Sequence, residues 1–440
     1  MRIPKKPPRY SEILQERSGQ LLEAVGDPNY QAFAAECQRK YRHWDKARHV
    51  ARGGKLDPEL AWGVIDMLRF GQRQFLPLRG AGDQPLRYSQ PPVVQRLLSL
   101  VDQKLARDLG ATGKLLTDAQ RERVIHGALQ EEATTSSMLE GAATTRREAK
   151  AMLREGRPPR SRGEQMVFNN YAAIEFVREH TNTDLTPEFL LELQAMLTRD
   201  TLDRPDEVGR FRRSDEVVQV VDVRTNEVLH DPPPADDLTR RLTAFCRFAN
   251  DDDDAHEEDD DFLHPVLRAI TLHFQIGFDH PFCDGNGRTA RTLFYWSMLR
   301  QGYALFEYLP ISRFIYGAPS QYQKAYLYTE TDAFDLTYFY VYHLRIIQDA
   351  IRSLADHVTS ERERLRKLRR TARPVDINDR QWEALQDLRN EAVDDWSVQD
   401  YQDVFDVSYG TARNDLQDLQ ARDLVRRVKL GRQYKYLART

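Results

Sequence analysis

The chain has 440 residues, 40% of them hydrophobic and 30% charged, with a formal net charge of −4; this describes a globular protein too long for one ordinary core, with room for about three domains. No apolar stretch approaches the roughly 18–20 residues that span a bilayer, and the opening Met-Arg-Ile-Pro-Lys-Lys-Pro-Pro lacks the apolar run of a secretory leader. The charge excludes a chain-wide nucleic-acid surface, though not a local patch. Cys37, Cys246 and Cys283 are too widely spaced for a disulfide framework or a metal cluster, so a reducing cytoplasm is the expected location.

In chain order, residues 1–115 open on a Pro-rich, basic segment read as mobile and continue with helical patterns such as 11–14 and 60–70. Pro77, Pro85, Pro91 and Pro92 interrupt them, which predicts short helices joined by loops. Residues 118–153 read as a helix, a break, a second helix over 131–141 and a third from Thr144. Ser136 and Glu140, four apart, share a face of the second helix, and Gly141 is placed to end it. Taken alone, that is a polar helix C-terminus closed by glycine. The run Arg154, Arg157, Arg160 and Arg162 with Gly156, Pro158 and Pro159 is a loop, read as a solvated connector, before helical spacing resumes over 164–201.

Between residues 209 and 234 the period changes. Residues 216–223 are rich in valine, 224–227 look like a turn, and Val228-Leu229-His230 completes a β-hairpin, which in a helical protein must pack on something. The acids at 251–254 and 257–261 form a solvated loop without the glycine-bearing spacing of a calcium site.

Residues 280–291 read His-Pro-Phe-Cys-Asp-Gly-Asn-Gly-Arg-Thr-Ala-Arg. Glycines let backbone N–H groups approach an anion, and the helix predicted over 289–299 brings its positive end to the same spot. Arg288 and Arg291, three apart on that helix, share a face and can reach successive phosphates. His280 stands where a base meets a hydroxyl beside the anion, and Asp284 offers a hard oxygen to the Mg²⁺ that accompanies a nucleoside triphosphate. The plain alternative is a Gly-Asn-Gly turn with two surface arginines.

At these residues the chain resembles the Fic family, whose signature His-Pro-Phe-x-Asp-Gly-Asn-Gly-Arg-x-x-Arg it matches at every specified position. The resemblance covers about 130–350 and implies a mainly α fold, a Fic-type helical bundle over 116–372 that moves AMP from ATP to a protein hydroxyl. It implies His280 as base, and Gly285, Asn286 and Gly287 on the α-phosphate. Asp284 would hold Mg²⁺, Arg288 and Arg291 the β- and γ-phosphates, and Tyr322 the nucleotide. It implies an inhibitory helix near 131–141, with Ser136 and with Glu140 paired to Arg291, and a flap in which Val217, Val218, Gln219 and Val220 hold a target strand. Two departures stand out: Asp279, a carboxylate beside His280 able to raise its basicity or hold its tautomer, and Thr329-Glu330, where the family often has asparagine. Rival readings are a DNA-binding regulator whose Fic domain binds nucleotide or modifies itself, and AMP removal or phosphotransfer in the same site.

Residues 337–370 read as one long helix and 371–376 as a linker. Helices over 380–390, 397–405 and 408–422 and a hairpin over 425–436 resemble a winged helix-turn-helix domain at 376–440. From residue 376 on, 13 acids outnumber 10 bases, and the bases gather in the hairpin at Arg426, Arg427, Lys429, Arg432 and Lys435; DNA and protein are equal candidates there. The other expected partners are a target protein or the chain itself, and a second copy as a homodimer, with no membrane.

Overall fold

The computed structural model describes residues 2–112, 118–222, 225–250, 262–370, 377–389, 393, 395–430 and 433–438. The expected acidic loop at 251–261, the linker at 371–376 and the tip of the last hairpin at 431–432 lie outside them. The protein is mainly α. In order come α1 (Tyr10–Gly26), α2 (Pro28–Lys40), α3 (Trp44–Gly53), α4 (Pro58–Phe70), β1 (Gln74–Arg79), β2 (Pro85–Tyr88), α5 (Pro92–Thr112), α6 (Asp118–Leu139), α7 (Arg146–Glu155), α8 (Arg162–Glu179) and α9 (Pro187–Thr198). Then follow β3 (Val220–Val221), β4 (Val228–His230), α10 (Leu238–Asn250), α11 (Pro265–Asp279), α12 (Asn286–Arg300), α13 (Ile311–Gly317), α14 (Pro319–Thr331), α15 (Thr337–Arg370), α16 (Asp379–Arg389), α17 (Val398–Phe405), α18 (Tyr409–Ala421), β5 (Val425–Leu430) and β6 (Gln433–Ala438). No described helix is long and apolar enough to cross a membrane.

The chain divides into two compact units, one of residues 1–112 and 124–352, the other of 113–123 and 353–440. In the first, α11 is the central helix. His264 caps it, its ring accepting from Val266 N–H at 3.2 Å, Pro265 opens it, and every residue from Val266 through Ile276 is buried. A helix buried all round has no solvent face, so its polar side chains find partners inside, Arg268 donating to the Phe248 carbonyl and Thr271 to that of Leu267. Against it runs α12, equally buried.

Several expectations change. The helix and break read in 118–141 are one continuous α6, because Thr134 and Thr135 donate their hydroxyls to the carbonyls of Gln130 and Glu131 and residues 131–137 are buried, so packing holds what propensity alone would interrupt. The helix stops at Leu139, and Gly141, at φ 86°, turns the chain away. The N-terminal region is not loops between helices alone: β1 and β2 pair antiparallel, Gln74 opposite Tyr88, and carry Pro77 and Pro85 in a two-stranded ribbon, where edges tolerate proline. Nor is it a separate domain or a loose tail. Pro4 is buried, Lys5 N–H donates to Asp45, and Tyr41 donates to Asp335 at 2.7 Å.

The second unit has its own core, built on Trp396, Tyr401, Leu416 and Tyr436. Its order is helix, helix, helix, hairpin, with β5 and β6 in continuous antiparallel register. Trp396 adds a one-residue bridge to Tyr436, with both N–H···O bonds at 2.8 Å.

Candidate active site

The site lies where α11 ends and α12 begins. His280 is the left-handed residue that stops α11, at φ 45° and ψ 56°, and its Nδ1 lies 3.0 Å from the carbonyl of Gly277. A carbonyl only accepts, so Nδ1 carries the hydrogen and Nε2 keeps its lone pair. Burial pushes the imidazole pKa down to about 4, the Gly277 carbonyl opposing only in part, so the ring is neutral at physiological pH.

The expected role of Asp279 in this poise is corrected. Its carboxylate is buried among other partners, accepting from Arg241 Nε at 2.7 Å and Gln275 Nε2 at 2.9 Å, while His280 has already left the helix in its left-handed conformation. Gly277 holds the tautomer instead.

Gly285 begins α12 at φ 91°, a conformation that requires glycine, and a Cβ there would also meet Thr198 at 3.0 Å. Gln194 braces the loop by donating to the Asp284 carbonyl at 3.2 Å while accepting from Gly209 N–H at 2.6 Å. The side chain of Asn286 does not face a ligand: its amide oxygen accepts from Phe282 N–H at 3.0 Å and its NH₂ donates to the Phe282 carbonyl at 2.8 Å, clamping the loop shut. Only the backbone N–H of Asn286 remains for an anion.

Arg288 also departs from expectation. It is fully buried and donates to the Leu197 carbonyl at 2.6 Å, with Asp284 at 3.4 Å, so it supports the loop from beneath. Three positions apart on one helix, Arg288 and Arg291 are separated by about 60° around the axis, enough for one to reach the cavity and the other the core.

Arg291 reaches the cavity, and Ser136 and Glu140 meet it there. Its Nε donates to Ser136 Oγ at 2.8 Å and its Nη2 to the Ser136 carbonyl at 3.0 Å and to Glu140 Oε1 at 2.9 Å. Burial works to raise the Glu140 pKa, but Arg291, with Arg288 and His280 beyond it, outweighs this and holds the carboxyl below its usual range. A Cβ on Gly287 would stand 2.1 Å from Glu140 Oε1, so the carboxylate lies directly over the first turn of α12, where an anion is best placed.

A cavity of about 280 Å³ joins these parts, with Glu140, His280, Asp284, Gly287, Arg291 and Tyr322 in its wall. The Tyr322 hydroxyl bonds His273 Nε2 at 2.7 Å, and burial pushes that histidine well below its ordinary pKa, so it is a neutral partner. Asp284 opens to the rim with its side chain 43% exposed. The hairpin expected at 209–234 is present but short: Val220 faces His230 and Val221 faces Val228 across a register shift. Val217, Val218 and Gln219 precede the ladder, Val217 being 87% exposed, and Val223 and Arg224 lie outside the described residues. Val220 and His230 line the cavity.

Sequence reasoning missed Gln194 and Glu132, and named His230 and Glu330 without seeing that they pair. His230 was visible only as the end of a strand, and its partner Glu330 is 100 residues away. Glu132, one turn before Ser136, is a buried carboxylate that accepts from Tyr295 at 2.9 Å, from Ser312 N–H at 2.8 Å and from the Ser312 hydroxyl.

Residues 184–298 match the family model described as Fic/DOC family. The chain carries a Fic domain. The 280–291 loop falls inside the matched residues, whereas Ser136, Glu140 and Tyr322 lie outside them. The chain is 36% identical over 99 residues to a protein adenylyltransferase Fic of Nematostella vectensis, covering 22% of this chain and 20% of that one. It is 34% identical over 120 residues to a protein of the same name in Drosophila melanogaster, covering 27% and 21%. It thus spans about a fifth of the length of these relatives. A Fic family protein from Desulfovibrio desulfuricans shares the fold at a TM-score of 0.53 and 20% identity, over 79% of this chain and 97% of that one.

Proposed function

We propose that the protein is an adenylyltransferase, moving AMP from ATP to a Ser, Thr or Tyr hydroxyl of a protein, and that Glu140 holds it inactive. The observation that carries this reading is one cavity onto which open both a neutral histidine with a free Nε2 and the N-terminus of α12. ATP is the substrate such an anion seat fits, and the family's named relatives support it. The N–H groups at the start of α12 would hold the α-phosphate. His280 Nε2 would take the proton of the incoming hydroxyl as its oxygen attacks the α-phosphorus and pyrophosphate leaves. Arg291 would hold the leaving group, and Arg288 would act through the loop it supports.

Asp284 fits a hard cation. Its Oδ1 faces Gly285 N–H and Arg288, while Oδ2 takes no hydrogen bond from any described residue. Mg²⁺, when bound there, would supply charge neutralisation to the phosphates.

The inhibitory part follows from charge. One guanidinium cannot serve Glu140 and a terminal phosphate together, and a carboxylate 2.9 Å from Arg291 with 29% exposure is a partly desolvated lock worth on the order of 1–3 kcal/mol. Glu140→Gly should raise transfer of label from the α-phosphate of ATP about tenfold or more, and His280→Ala should abolish it. Transfer from γ-labelled ATP instead would mean phosphotransfer, and label transfer surviving His280→Ala would remove the base.

The C-terminal unit supports a second activity, DNA binding: Arg413 and Asn414 on α18 and Arg426, Arg427 and Lys429 on β5 are exposed, while Lys435 is taken up by Asp395 and Asp400. A salt-dependent gel shift tests it, with loss on changing Arg426 and Arg427 to alanine.

A further inference from the structure

One buried histidine in the cavity wall has no part in the chemistry just described. His230, the last residue of β4 and 8% exposed, touches two other elements at once. Its Nδ1 lies 2.8 Å from Glu330 Oε2 on α14, and its Nε2 lies 2.7 Å from the carbonyl of Phe278 on α11. Its ring also packs on that of Phe278, with centroids 4.9 Å apart.

Both partners are acceptors. A carbonyl never donates, and an ionised carboxylate has no hydrogen to give, so both contacts are satisfied only when both ring nitrogens carry hydrogen. The neutral ring would turn a lone pair toward one of two oxygens. We propose that His230 is a doubly donating imidazolium latch, with Glu330 as its counter-ion, and that it fixes the β3–β4 flap against the cavity wall and so positions the strand that receives the acceptor polypeptide. The part concerning the acceptor rests on the transferase reading. His230 and Glu330 are positioning residues.

The hairpin needs such a tie. Two- and three-residue strands with a register shift do not hold themselves, and the Gln219 to Asp231 side-chain contact at 3.1 Å lies on the exposed side of the flap. The register makes the transmission direct, since Val220, which lines the cavity, pairs across the ladder with His230 itself.

The charged and titratable groups facing His230 are consistent with a cation. From α14 comes Glu330. From α11 comes Asp279, whose own charge is met by Arg241 of α10. Beyond the end of α11 stand His280, which is neutral, and Arg212, whose guanidinium is held by the carbonyls of His280 at 2.8 Å, Asp279 at 3.3 Å and Pro233. Burial alone would lower the pKa of His230, but the hydrogen bond and charge of Glu330, then the Phe278 carbonyl, outweigh it and raise it. A raised histidine keeps its bound form below that pKa and loses it as pH rises through it, so the latch is closed on the acid side of the raised pKa and opens as pH climbs past it.

The test uses the full-length chain. Ring-¹⁵N NMR, with His230→Gln as the assignment control, should show both nitrogens of His230 protonated and a titration midpoint above the ordinary value of about 6.5. Glu330→Gln should lower that midpoint by about one unit or more. A single neutral tautomer, or a midpoint at or below the ordinary value, overturns the latch. In a Glu140→Gly background at saturating ATP, Glu330→Gln should cut self-labelling about fivefold or more while KM for ATP stays within about twofold. The alkaline fall of the rate should move to lower pH with the NMR midpoint. A KM for ATP that rises in step with the loss of rate would mean that the pair binds nucleotide and would overturn the positioning role. If the Glu140→Gly parent transfers no label, the transferase reading fails by itself, and the two midpoints alone decide for or against the latch.

Discussion

Gly287 sits where Glu140 and, in the proposed reaction, a phosphate would compete. Its α-carbon hydrogen faces the Glu140 carboxylate, and a methyl there would meet Glu140 Oε1 at 2.1 Å and Arg291 Nη1 at 3.0 Å. Gly287→Ala should therefore loosen Glu140 and still lower label transfer, because the same methyl fills the seat of the incoming phosphate. The double variant with Glu140→Gly should stay slow, which separates a blocked seat from a closed lock. His280 yields a pH prediction. With its pKa held near 4 by burial, kcat/KM should stay flat on the acid side through pH 6 and fall only as pH drops toward about 4, where the imidazole gains a proton and ceases to be a base. At this scale the gathering of a histidine, a glycine-bearing bend and a cationic helix start was legible, since those residues are neighbours in the sequence of 280–291. What was not legible is direction. Asn286 and Arg288 carry suitable groups but turn them to Phe282 and Leu197, partners that only the folded chain reveals.

Helices α11 and α14 touch through a gap of one missing side chain. Gly277 lies on α11 opposite the ring of Tyr326, whose oxygen would be 2.2 Å from an added Cβ. Glycine inside a helix costs about 1 kcal/mol against alanine, yet here alanine should cost more than it gains. Gly277→Ala should lower stability by about 1–3 kcal/mol, read as a fall in the midpoint of thermal or denaturant unfolding. On α6 the anchor is Glu132. Replacing it by alanine leaves the N–H and hydroxyl of Ser312 without their buried acceptor, while Tyr295 keeps the Leu309 carbonyl, and should cost about 2–3 kcal/mol. Periodicity showed helical spacing within 118–141 but could not show that the helix there is unbroken. The valine-rich stretch showed a hairpin but not its shortness, because a ladder ends where its partner strand bends away. The ribbon of β1 and β2 was hidden by its own prolines, which read as breaks.

Across the whole first unit, the N-terminal helices are tied to the segment that follows α14. Arg69 is buried, with its guanidinium 3.9 Å from the centre of the Tyr41 ring, and donates to Tyr338 at 2.7 Å and to the Arg42 carbonyl at 3.0 Å. Arg69→Ala should remove about 3 kcal/mol or more and lower the unfolding transition of residues 1–112 and 124–352 together, since no boundary in packing separates them. That unity was not readable from sequence, where periodicity predicted helices without naming the partners they pack on. It has a further result. Arg87 holds Asp332 and Tyr41 holds Asp335, both just past the helix that carries Tyr322, Tyr326 and Glu330. The wall of the cavity formed by that helix is thus moored by the N-terminal region. Shortening that region should blunt affinity for the nucleoside before it unravels the catalytic bend, so an early loss of grip on adenosine would be the first symptom of damage far from where the chemistry occurs.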